Sequence, residues 1–342
     1  MFTHKYFREP RLVCWLVRRK PLRNAIQGFP ALIIYQMKQL IAGIHPTMKG
    51  IALAFLATLG MANVYVFSKA ALLEVNFFQF QFYWFGFAIL WILVFMTVTG
   101  MIRKIPDLKR KSRINLVIIG LLELGAALTL FLAIQNAENP TLISFLSNLT
   151  PIFATLLGIR FLGEKFNLIE AVGILLTIAG VIMITDIRNT TLASFFGQGS
   201  GWIMISSLLL SISIVFAKSQ IRDIHPGILT LNRVIFIFTF AVSAVLLRQE
   251  NLVVPGKALL NMGIGSVLGP FLTGLAQYSA LKYIEASRTM IIQATRGLFV
   301  LIGSMIYLSI LPTYLQVIGG TITIAGVIIM TWGKMRMKKD KE

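Results

Sequence analysis

Three charged side chains fall inside long stretches that otherwise carry almost no charge, and these are the residues best placed to do chemistry. Glu123 lies near the middle of one apolar stretch, Arg296 near the middle of another, and Arg233 about a third of the way into a third. A charge in hydrocarbon is costly unless it meets a cavity or a partner, so each position is informative. For Glu123 and Arg296 the functional reading is binding of a charged or zwitterionic solute, or a Glu123 carboxyl that exchanges its proton during transport. The structural reading is an ion pair that ties two helices together. Arg233 is expected to snorkel toward headgroups instead.

Uncharged polar residues extend this set. Ser144, Asn148, Pro151 and Thr155 are spaced so that they share one helix face. A proline within a helix removes one backbone hydrogen bond and frees a carbonyl, which is tolerated where that carbonyl lines a cavity. Thr289, Gln293 and Arg296 form a similar stripe, and Gln277 with Tyr278 lie on the preceding apolar stretch. Glu123, Ser144, Asn148, Thr155, Gln277, Tyr278, Gln293 and Arg296 are therefore the expected substrate-binding residues. Interhelical hydrogen bonding, worth little per residue, is the alternative for the uncharged ones.

Other chemistries find no residues to carry them. The chain has no HExxH, no GxSxG and no GxGD within an apolar stretch, and a GxxxxGK[ST] phosphate loop is also missing. Cys14 is the only cysteine, and His4, His45 and His225 lie outside the apolar stretches. No catalytic residue, metal site or cofactor is expected. A membrane-embedded enzyme and a receptor or scaffold subunit stay open as alternatives to a carrier.

The elements that must hold these residues are membrane-spanning helices. Hydrophobic residues make up 56% of the 342 positions and charged residues 13%, with a mean hydropathy of +0.79. A soluble chain needs far more charge on its surface. Ten spans are read at about 49–70, 77–99, 114–134, 141–162, 168–186, 201–219, 227–247, 260–281, 287–308 and 313–333, each near the ~20 residues that a crossing requires. The net charge of +19 does not point to nucleic acid, because it sits in short clusters between the spans.

From Lys49 onward, a cytoplasmic start places 18 basic residues on the cytoplasmic side. Only Lys69, Arg188, Arg248 and Lys257 fall on the other. That asymmetry predicts a multi-pass protein of the inner or plasma membrane with both termini in the cytoplasm. Lys69 and Lys218, closing spans 1 and 6, are expected to anchor at the interface. Residues 1–47 are different, with eight basic residues against the single acid Glu9 and no run long enough to span. Three readings compete for them: a disordered basic arm, an interfacial amphipathic helix, or sequence upstream of a true start at Met48.

Sliding the chain against itself by 146 residues places Ala171–Ile184 on Val317–Met330, with seven of fourteen positions identical. The matches include Gly173 with Gly319, Thr177 with Thr323, and Gly180 with Gly326. The same shift lays spans 3, 4 and 5 on spans 8, 9 and 10. Five spans is an odd number, so the second copy enters the membrane the other way up, as in many secondary transporters. The small residues read as close helix packing, either within one chain or in a homodimer through spans 5 and 10.

The stretch from Ser147 to Ile184 resembles the signature segment of the EamA domain, found through much of the drug/metabolite transporter superfamily. The resemblance rests on Asn148, the Thr150–Pro151 step, the Leu162-Gly163-Glu164 end of span 4 and the Gly-rich span 5. It implies an all-α integral membrane protein with ten transmembrane helices in two inverted five-helix repeats, 48–187 and 188–333, flanked by the arm and a basic tail at 334–342. It further implies a carrier for a small metabolite or drug-like solute, working by alternating access in the export direction. Spans 3, 4, 8 and 9 line the central cavity in that family, so the resemblance implies that Glu123 and Arg296 meet there. The second half departs from the pattern, with Gly297 at the Pro151 position and Ala294 at that of Asn148. Glu164, beside Lys165, reads as an ion-pairing residue at the membrane boundary.

Overall fold

The computed structural model describes residues 45–104, 109–163, 167–185 and 198–339. The arm up to residue 44, Glu164 and Arg188 lie outside them. Every regular element among the described residues is a helix, and ten helical segments follow one another. These are α1 (Pro46–Leu72), α2 (Phe77–Val98), α3 (Arg110–Asn136), α4 (Pro140–Leu146 then Leu149–Leu162) and α5 (Leu168–Thr185) in the first half. The second half holds α6 (Ser200–Gln220), α7 (Pro226–Arg248), α8 (Gly256–Ala280), α9 (Ala286–Ala294 then Arg296–Tyr307) and α10 (Tyr314–Lys339). Seven are long and apolar enough to cross a membrane, and the apolar parts of α5, α9 and α10 are shorter.

Local signals explain where the helices start. Asn76 and Gln79 form a reciprocal capping box at the head of α2. Asn139 caps α4 ahead of Pro140, and the His225 side chain accepts from the Gly227 amide ahead of Pro226 in α7. Both prolines occupy the first helical position, where no backbone donor is needed. Outward faces carry aliphatic residues such as Leu121, Leu175, Ile182, Leu246 and Ile306, as a surface in contact with lipid requires.

The helices pair as a twofold relation between inverted halves demands. α3 packs on α6 as α8 packs on α1, and α4 lies against α6 as α9 lies against α1. α2 meets α7, and α5 meets α10. The last contact is the closest. A Cβ on Gly173 would lie 2.5 Å from the Gly326 carbonyl oxygen, and one on Gly180 would lie 2.6 Å from that of Gly319. Thr177 and Thr323, both fully buried, complete the seam. The small-residue faces of α5 and α10 are thus occupied within one chain. Of the two readings of these residues, packing within one chain is the one observed.

Two helices break near mid-length at equivalent places. α4 interrupts its ladder at Ser147 and Asn148, and α9 does so at Thr295. Pro151 accounts for the first break, since it has no N–H for the Ser147 carbonyl four residues earlier. α8 keeps running but widens into a π-turn over Val267–Thr273, around Pro270. The Thr273 hydroxyl donates to the Leu268 carbonyl there at 2.9 Å.

Candidate functional site

Glu123 is fully buried at the junction of four helices. Its Oε1 accepts from the Ser213 hydroxyl of α6 at 2.7 Å and from the Tyr278 hydroxyl of α8 at 2.8 Å. Its Oε2 lies 3.3 Å from Nε of Arg233 on α7. That approach is an ion pair, but its alignment falls short of a hydrogen bond, since neither atom has a hydrogen-bond partner. Arg233 therefore does not snorkel. Its side chain is 11% exposed and turned inward, because the buried carboxylate is a better counter-charge than a distant headgroup. Arg233 also lines a narrow void with Trp84, Phe85, Phe131 and Pro270.

Arg296 sits elsewhere, at the breaks of α4 and α9. Its Nε and Nη2 donate to the Ser147 hydroxyl, and Nη2 also donates to the Ser147 carbonyl at 3.2 Å. Pro151 has no N–H for this carbonyl, which also accepts from the Thr150 amide at 3.0 Å. Nη1 donates to the Gln293 carbonyl at 3.4 Å, and the Tyr65 ring lies 5.9 Å from the guanidinium carbon. Gln293 in turn donates through Nε2 to Gln277 Oε1 at 3.2 Å. The expected meeting of Glu123 with Arg296 is corrected here. Glu123 is held by Arg233, and Arg296 has no carboxylate within 4 Å among the described residues.

The remaining expected residues divide between the two centres and other contacts. Tyr278 belongs to the Glu123 centre, and Gln277 and Gln293 belong to the Arg296 centre. Asn148 turns toward α10, its Nδ2 donating to the Thr323 hydroxyl at 3.0 Å, and Thr155 faces Met330 on the same helix. The Ser144 hydroxyl donates to the Thr141 carbonyl of its own helix at 2.7 Å.

Sequence reasoning left out a group on α1 and α2. Gln81 is fully buried, and neither atom of its amide has a hydrogen-bond partner. Trp84 Nε1 and the Tyr65 hydroxyl are in the same condition. The available signal was a glutamine within the aromatic run FFQFQFYWFGF. Polar atoms that lack partners in a helical interior mark where a solute or water completes them.

Both ends of the bundle carry a matching device. The motif Val66-Phe67-Ser68-Lys69 closes α1, and Val215-Phe216-Ala217-Lys218 closes α6. Lys69 Nζ donates to the carbonyls of Gln135, at 3.2 Å, and Ala137, at the C-terminus of α3. Lys218 Nζ donates to those of Leu281 and, at 2.7 Å, Ile284, just past the C-terminus of α8. Both lysines, expected as interfacial anchors, turn their ammonium groups onto carbonyls at a neighbouring helix end. Carbonyls at a helix end present negative charge without intrahelical donors, and an inward ammonium satisfies both needs.

Comparison with known proteins agrees with this architecture. The sequence profile of the EamA-like transporter family matches twice, over residues 48–186 and 197–332. A WAT1-related protein of Arabidopsis thaliana is 26% identical over 83% of this chain and 87% of its own. A Synechocystis protein described as an uncharacterized transporter is 22% identical over 70% of this chain and 72% of its own. One crystal structure superposes with a TM-score of 0.61 at 18% identity, covering 84% of this chain and 98% of the other. At that identity it speaks to the fold alone.

Proposed function

The chain belongs to the EamA-like transporter family, and on that footing we propose that it is a secondary carrier moving a small metabolite or drug-like solute by alternating access, in the export direction. One observation supports this above the rest: α4 and α9, one from each half, break opposite each other and are joined there by Arg296 and Ser147. Discontinuous helices at the junction of inverted repeats are where transporters place their solutes. Counterflow in proteoliposomes loaded with a mixed metabolite pool tests it. Exchange of at least one solute is expected, and its failure for every solute in a protein that reconstitutes well would remove the carrier reading.

The proposed orientation puts both termini and the α2–α3 connection in the cytoplasm, with the halves dividing at 48–187 and 188–333. With Cys14 replaced by serine, a cysteine at the exposed Lys257 should react with an impermeant reagent in intact cells. One at Lys111 should not. The reverse pattern would invert the topology. A chain beginning at Met48 is expected to insert and transport like the full one, because all ten helices contain their hydrophobic signal within the retained residues. A truncated protein that fails to insert would show that the first 47 residues take part in assembly.

A further inference from the structure

The centre of the bundle holds more positive charge than negative. Glu123 and Arg233 compensate each other. Arg296, 2% exposed, has only neutral partners: the hydroxyl and carbonyl of Ser147, the carbonyl of Gln293 and the face of Tyr65. These dipoles accept hydrogen bonds from it but do not cancel its charge, and a guanidinium does not deprotonate to escape burial. Its supply of donors is also unfinished. A guanidinium offers five N–H groups, and four hydrogen bonds are made. One Nη1 hydrogen is left without an acceptor among the described residues.

The surroundings favour an anion for two further reasons. The hydroxyl of the facing Tyr65 is fully buried without a partner, and so is the Nε2 donor of Gln277, the residue that accepts from Gln293. Glu123, the acid at the centre available to attract a cation, already accepts two hydrogen bonds and holds an ion pair.

Resting on the carrier reading above, we propose that the transported solute bears a carboxylate and that Arg296 binds it through its planar fork, the carboxylate replacing Ser147 as acceptor. A charge-assisted bidentate pair outcompetes a neutral hydroxyl and a carbonyl for the same donors. Binding then unties α4 from α9, which belong to opposite halves. The solute's charge is thereby coupled to the contact that the halves must remake when they move.

The test uses the purified full chain in detergent, with thermal unfolding followed in the presence of lactate, succinate and the common α-amino acids. Each is compared with its amide, and each amino acid also with the amine that lacks the carboxyl. At least one carboxylate is expected to raise the unfolding temperature while its amide does not. Arg296→Gln should abolish that response. Arg296→Lys, which keeps the charge but loses the fork, should weaken the apparent affinity roughly tenfold, and it carries the test if the glutamine variant does not fold. Ser147→Ala removes the competing hydroxyl and should strengthen carboxylate binding, whereas a merely structural tie would give no such gain. Equal stabilisation by acid and amide, stabilisation by amines alone, a carboxylate response that survives Arg296→Gln, or silence from every carboxylate would each overturn the proposal. Counterflow separates it from the carrier reading. Exchange of neutral or cationic solutes unaffected by carboxylates rejects the anion site and keeps the carrier, while carboxylate binding without any exchange does the opposite.

Discussion

Glu123→Ala is expected to remove most of the folded protein from the membrane, and Arg233→Met in the same chain is expected to restore much of it. The single change leaves Arg233 buried with no counter-charge and takes the acceptor from Ser213 and Tyr278. Breaking one side of a buried pair costs about 3–5 kcal/mol, whereas replacing both sides with apolar groups is often neutral. Against a total stability of about 5–15 kcal/mol, a loss of that size empties the native state. Yield of monodisperse protein and the unfolding temperature are the measurements. A double variant no better than the single one would show that Glu123 acts through Ser213 and Tyr278, and that Arg233 is incidental to its burial. Charge reversal, Glu123→Arg with Arg233→Glu, asks the functional question: recovered transport would argue against any direct contact between Glu123 and the solute.

Removing the two terminal lysines should push the carrier in opposite directions. Lys69→Met breaks the tie between α1 and α3 at the end proposed to lie outside, and Lys218→Met breaks the equivalent tie of α6 to α8 at the end proposed to lie inside. Buried carbonyls that lose a charged donor forfeit about 1–3 kcal/mol. If an open state hydrates those carbonyls, the same energy becomes a shift in population of roughly 5–150-fold. With Cys14 removed, a cysteine at Thr141 should react faster from outside in the Lys69 variant. A cysteine at Thr289 should react faster from inside in the Lys218 variant. Both positions are fully buried in the present conformation, so acceleration reports opening. Identical effects of the two lysine variants on both reporters would mean that the lysines only stabilise helix ends.

How much of this could be read in the sequence depended on the range of the force involved. Hydropathy integrates over about twenty residues, so ten helices and their ends emerged to within a few positions, and the repeat emerged with them. Pro151 announced the break in α4 because its missing N–H is a local fact. The break in α9 has no proline, and only its equivalence to the first would have located it. Partner choice was not legible. The resemblance brings Glu123 and Arg296 to one cavity only by the spans they occupy, and a span assignment does not say which side chain a carboxylate will meet. A long arginine side chain also reaches far beyond the depth of its own Cα. Arg233, nearer one end of its helix, thus reaches the carboxylate that Arg296 was expected to meet. Gln81 was passed over because the aromatic residues around it dominate any average, and hydropathy does not report which face a lone amide occupies. The inward turn of Lys69 and Lys218 was hidden for a related reason, since a lysine at a helix end is compatible with either water or a neighbouring carbonyl.

The glycine and threonine seam between α5 and α10 has a consequence for how motion in this protein is to be observed. The twofold relation between the halves maps that seam onto itself, as it does the pairing of α2 with α7. If the halves exchange conformations, contacts such as α1 with α8 trade geometries with α6 with α3, but a self-mapped contact looks the same before and after. In the proposed alternating-access cycle the α5–α10 interface is therefore blind to which way the protein faces. With backbone 2.5 to 2.6 Å from where a side chain would begin, it also has no slack to record a partial movement. Spin or fluorescence labels across it would read a constant, and that constant is the frame of reference against which every other helix can be timed.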